Sequence, residues 1–148
     1  MPQMIYTEPK LASMNEAKTI KVRLGDGTIK ECAIVISSCP AWKLAFSGIE
    51  LPVSDFIGED LFEALIALRN ALEQIGAQLL CAGSRPEVFP SGLSRSMGGG
   101  RKAYITRLGS PALKIDLVDI FEYAGAEAVG TVAQQKAFHQ KWAGSLRR

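Results

Sequence analysis

The chain has 148 residues, 47% of them hydrophobic and 22% charged, with a formal net charge of +2. That length suits one domain, which buries roughly 70% of its unfolded surface and needs no disulfides to do so. The near balance of charge excludes a global field of the kind that draws a protein to nucleic acid or to a membrane.

Residues 1–18, MPQMIYTEPKLASMNEAK, are polar and interrupted by proline. They lack the basic and apolar regions of a signal peptide, and a flexible N-terminal segment is expected, with one α+β domain over 19–148. No apolar run reaches the ~20 residues of a spanning helix, so a cytoplasmic protein without membrane contact is expected. TIKVRL at 19–24 alternates polar and apolar, and Gly25-Asp26-Gly27 precedes a second extended run over 28–37. An Asp-Gly turn between two such runs predicts a hairpin, because glycine tolerates the positive φ the turn demands. Residues 42–46 and 49–53 read as two further short strands joined at Ser47-Gly48.

Leu61, Leu65, Leu68, Leu72 and Ile75 fall on one face at helical spacing, which predicts an amphipathic helix. Asp60 with Glu63 resembles a capping box at its start, and Gly76 stands where a left-handed end is expected. Residues 77–82, 102–108 and 117–121 read as strands, and 125–130 as a loop. Thr131 and Gln134 form the capping box of a final helix with a stripe of Phe138, Trp142 and Leu146. The expected fold is α+β, a mostly antiparallel sheet with these two main helices packed on one face.

Chemistry is concentrated in residues 83–107, GSRPEVFPSGLSRSMGGGRKAYITR, where Arg85, Arg95, Arg101, Lys102 and Arg107 stand against one acid, Glu87. Gly98, Gly99 and Gly100 leave backbone N–H groups unshielded, Ser94 adds a hydroxyl, and arginine forks suit phosphate or carboxylate. The spacing matches neither a Walker A loop nor a dinucleotide fingerprint. The competing reading is a mobile loop of solvated arginines, although long structureless loops are uncommon in compact domains. Asp116, Asp119 and Glu122 form a possible acidic contact surface, or edge groups that pair with the arginines.

No catalytic set is expected. Cys32, Cys39 and Cys81 form no CxxC pair, which argues against a disulfide framework or a zinc site. No cofactor is expected. His139, the only histidine, reads as a solvent-edge residue of the last helix. No serine sits in a GxSxG elbow.

The strings LFEALIALRNALEQIGAQLLCAGSRPEVFPSGLSRSMGGGRKAYITRLG, LVDIFEYAG and VGTVAQQKAFHQKWAGSL resemble a family of small bacterial immunity proteins. These belong to contact-dependent growth inhibition and related polymorphic toxin systems. The resemblance covers about residues 60–146, and GSR…PSG.SR.MGGGRKAY is its distinctive part. It implies a non-enzymatic inhibitor whose partner is the toxic C-terminal domain of an effector. The alternative is a phosphate-ligand or RNA-binding module that uses the Gly/Arg-rich segment 83–107.

Overall fold

The structure is a computed structural model and describes residues 15–146. The first fourteen residues of the segment expected to be flexible lie outside the described residues. The last four, Asn15 to Lys18, already belong to β1 (Asn15–Arg23).

β1 pairs antiparallel with β2 (Ile29–Ser37), and Gly27 in the turn between them has φ 91°. The Asp26 carboxylate closes this turn by accepting from the Thr28 N–H at 2.9 Å. Alternation works as expected, putting Ile20, Val22, Cys32, Ile34 and Ile36 inside. β3 (Trp42–Ser47) continues the sheet, pairing Leu44 with Ile36 and Phe46 with Ile34. The edge strand β4 (Asp55–Gly58) starts later than the expected strand at 49–53. Pro52 cannot donate to a ladder, and the Phe46 N–H instead reaches the Ser54 carbonyl at 2.8 Å.

α1 (Leu61–Glu73) buries Leu61, Leu65, Leu68 and Leu72 against this sheet, as its spacing predicts. Asp60 caps it by accepting from the Glu63 N–H at 2.8 Å. The box does not close on Asp60, because the Glu63 carboxylate accepts from the Glu59 N–H at 3.3 Å. At the far end Gly76 has φ 76°. Ala77 N–H bonds Leu72 O at 2.9 Å and Gly76 N–H bonds Glu73 O at 3.0 Å, the paired pattern of a Schellman ending. Ile75 falls beyond the helix and is exposed.

The chain returns as β5 (Gln78–Leu79), far shorter than the expected 77–82, and completes the order β4-β3-β2-β1-β5. β6 (Val88–Phe89), β7 (Lys102–Ile105) and β8 (Leu117–Asp119) form a second antiparallel sheet in that order. Between β6 and β7 lies a short helix, α2 (Gly92–Gly98).

α3 (Val132–Ser145) carries its expected box, with Gln134 N–H donating to Thr131 Oγ1 and Thr131 N–H to Gln134 Oε1. α3 lies against α1 and against β6 of the second sheet. Its inward stripe is polar: Gln135 is its one fully buried side chain, Phe138 is half-buried and Leu146 is exposed. Such a face meets backbone carbonyls rather than an apolar sheet. A single hydrophobic cluster runs from the five-stranded sheet through α1 to Val88, Ala103, Ile120 and Phe121. Among the described residues no helix is long and apolar enough to cross a membrane.

Candidate functional site

Segment 83–107 is built into the protein rather than laid over it as an open loop. Its first half is held by two buried polar side chains. Arg69 of α1 donates from Nη1 to Gly83 O (3.1 Å) and Gln135 Oε1 (2.6 Å), and from Nη2 to Gly130 O (3.2 Å). Gln135 Nε2 faces the carbonyls of Gly83, Arg85 and Val88 at 2.9 to 3.0 Å, so two N–H hydrogens serve three acceptors. Burial pulls the Arg69 guanidinium below its ordinary range, with Cys81 and Glu73 opposing. Burial also pushes the Cys81 thiol up, so this cysteine is a small packed group rather than a thiolate.

The second half is α2, none of whose seven residues is buried. Ser91 caps its start, and Gly99 ends it with φ 68°. Gly99 O accepts from the first N–H of α1, Leu61, at 2.7 Å. Gly100 N–H bonds Ser94 O at 3.1 Å, and the Ser94 hydroxyl donates to Lys102 O. The glycine triplet therefore makes a helix ending and a close approach, and its amides do not form a cradle open to an anion.

The arginines find the carboxylates that arginine forks prefer, but those carboxylates are the protein's own. Arg85 pairs with Glu87. Arg95 Nε meets Asp60 at 2.7 Å, Nη2 lies 3.8 Å from Glu63, and the guanidinium covers the rings of Phe62 and Phe89. Arg101 bridges Asp119 at 3.0 Å and Glu16 at 2.8 Å, and it holds the Glu16 carboxyl below the usual range. Arg107 meets Asp116 at 2.9 Å and likewise holds that carboxyl low. Lys102 is exposed and joins no ion pair among the described residues. Of the three acids expected at a contact surface, Asp116 is buried under Arg107 and Asp119 is half-buried against Arg101. Glu122 alone is exposed. Among the described residues no cluster of His, Cys, Asp and Glu could hold a metal ion.

His139 is not at a solvent edge. Its ring stacks on Phe89 with centroids 3.6 Å apart and 10° between planes, and Trp142 lies at 5.8 Å. Gln135, His139 and Trp142 follow each other at i, i+4 and i+7, which is the stripe hydrophobicity alone passes over in favour of Phe138. Burial, with the Arg95 charge behind it, holds the His139 pKa below its ordinary value. A base whose folded pKa is depressed costs nothing above its unfolded pKa of about 6.5. Below that pH the unfolded chain takes up the proton first, and stability falls. Urea unfolding at pH 7.5 and 5.5 is expected to show a smaller acid loss for His139→Phe than for the parent.

These rings line a cleft of about 580 Å³ between β6, the start of α2, β7 and α3. Compared with protein-family models and with curated proteins, the sequence finds no match.

Proposed function

We propose that the protein acts by binding and not by turnover, as a toxin-neutralising inhibitor working in the cytoplasm, with the outer face of α2 as its contact surface. The observation that carries this reading is the exposure of Leu93 (71%) and Met97 (80%), one turn apart on a helix whose opposite side is fixed to α1. A few anchoring side chains near the centre of a contact patch carry most of the energy of a protein interface, and neighbouring exposed apolar side chains form the kind of patch that marks an interaction site. Leu113 and Ile115 (87% exposed) are further apolar side chains that face solvent. The internal pairing of Arg85, Arg95, Arg101 and Arg107 weighs against phosphate or RNA as the target, since each arginine would have to exchange a carboxylate it already holds. The partner is the toxic C-terminal domain of a contact-dependent growth inhibition effector, as the family resemblance implies.

The test is titration against the toxin domain encoded beside this protein. Leu93→Glu with Met97→Glu is expected to weaken binding about 1,000-fold, two contacts of about 2 kcal/mol each being lost, while thermal unfolding stays unchanged. Full-strength binding by this variant would move the contact away from α2. A parent protein that neither binds nor protects would end the inhibitor reading.

A further inference from the structure

β1 stands inside the order β4-β3-β2-β1-β5, yet β5 covers only its end, at Val22 and Arg23. The Leu80 N–H still reaches Lys21 O at 2.9 Å, and the chain then turns aside to pair Cys81 with Tyr123. In an antiparallel strand both backbone groups of a residue point to one side, and successive residues alternate. Lys21 and Arg23 point toward β5. Asn15, Ala17 and Thr19 point the same way, where β5 no longer runs, and among the described residues none of their backbone groups finds a partner there. All three residues are exposed, and a groove of about 420 Å³ lined by Lys18, Thr19, Phe121 and Tyr123 adjoins them. An open edge of this kind is a template for a further strand.

The side chains say which strand fits. Glu16 is half of an ion pair with Arg101, and Lys18, two positions on, joins no ion pair among the described residues. Lysine alone would blunt an edge. A copy of β1 laid antiparallel beside it can be centred in only a few ways. Centred on Glu16 or Lys18, it sets like charges directly opposite, which is destabilising. Centred on Thr19, it would need Lys21 O, which Leu80 already holds. Centred on Ala17, it sets Glu16 opposite the partner's Lys18 and Lys18 opposite the partner's Glu16. The stretch NEAKT at 15–19 is thus self-complementary in charge about its middle residue.

We propose that two copies of this chain associate through the open edge of β1, antiparallel and centred on Ala17, so that their five-stranded sheets join into one. Ala17 exchanges hydrogen bonds with the partner's Ala17, and Asn15 with the partner's Thr19, which uses the groups left free in one copy. The Glu16 and Lys18 pairs fall at the non-hydrogen-bonded positions, where facing side chains come closest. On the outer face Ala17 lies opposite Val35, which is 41% exposed and lies opposite Ala45 in turn. Joining the sheets continues this row of small apolar side chains across the two-fold axis.

Sedimentation equilibrium of the full chain alone, from micromolar to millimolar concentration, is expected to show monomers and dimers in exchange. Ala17→Pro removes an N–H that the β1–β2 ladder does not use, and is expected to abolish the dimer while thermal unfolding stays in place. Lys18→Glu and Glu16→Lys each set like charges opposite one another, and each is expected to weaken self-association about tenfold or more. Mixed in equal amounts, the two variants carry opposite charges in the same register and are expected to form a mixed dimer about as tight as the parent's. Misfolding of one variant would not produce that rescue. If Glu16→Lys melts early for want of its Arg101 pair, Ala17→Pro and Lys18→Glu carry the test without it. A chain that stays monomeric at millimolar concentration overturns the proposal, and slow exchange of its Ala17 and Thr19 amides would then mean that the edge is covered within one copy. A dimer untouched by Ala17→Pro also overturns it, as do folded variants that fail to associate when mixed. No toxin domain is present in these measurements, so this reading and the one resting on Leu93 and Met97 can each fail alone.

Discussion

Arg69→Ala is expected to lower the unfolding free energy by about 3 kcal/mol or more, read by urea unfolding at neutral pH. The guanidinium is the donor to Gly83 O, Gly130 O and Gln135 Oε1, all within 3.2 Å. Removing it leaves Gly130 O and Gln135 Oε1 unpaired, at about 1–3 kcal/mol each, while Gly83 O keeps Gln135 Nε2. Against this stands the relief of a desolvated cation, which has no carboxylate within ion-pair distance among the described residues. Arg69→Met separates the two effects, because it keeps most of the side-chain volume and gives up the bonds. A methionine variant as stable as the parent would mean that the network contributes specificity and no net stability, as is known for some buried ion pairs. Gln135→Leu should couple to Arg69→Met by about 0.5–3 kcal/mol in a double-mutant cycle, because the two side chains share Gly83 O and bond each other.

The glycine triplet gives the second large effect, with neighbouring positions of opposite sign. A Cβ at Gly99 would overlap the Trp42 ring, and the backbone there is left-handed at φ 68°. Gly99→Ala therefore combines about 1–2 kcal/mol of backbone strain with about 1–3 kcal/mol of overpacking. A Cβ at Gly98 would meet nothing within 4 Å, and this residue is helical. Gly98→Ala should stabilise by about 0.5–1 kcal/mol. Thermal denaturation of the two variants side by side is the check; equal effects would mean that the triplet acts only as a flexible hinge.

The parts of the fold legible in the sequence are those whose cause is local. Asp26-Gly27, Asp60, Gly76 and the Thr131–Gln134 box each act within a few residues, and each stands where expected. Residues 83–107 were legible in chemistry but not in form. Serines and glycines give α2 little helix propensity. It forms because Asp60, thirty-five positions away, takes Arg95, and because the α1 start takes Gly99. Arg101 pairs across eighty-five positions with Glu16, inside the segment expected to be flexible. Nothing in a local pattern reports such distances. Arg69 is legible by position rather than by type: it follows Leu65 by four positions and precedes Leu72 by three, and so sits on the buried stripe. A charged residue at such a position signals a buried polar network. The same holds for Gln135 and His139 on α3.

α2 has no buried side chain, so hydrophobic burial contributes little to its existence. It is held by the very groups that begin α1: the Leu61 N–H on Gly99 O, and the Asp60 carboxylate shared between the Glu63 N–H and Arg95. The first turn of α1 and the whole of α2 thus share their anchoring contacts, and loosening one is expected to loosen the other. A partner that grips Leu93 and Met97 is expected to tighten the start of the helix at the centre of the core as well, because a ligand of the folded form stabilises what that form requires. Occupancy at the surface is in this way written into the stability of the interior.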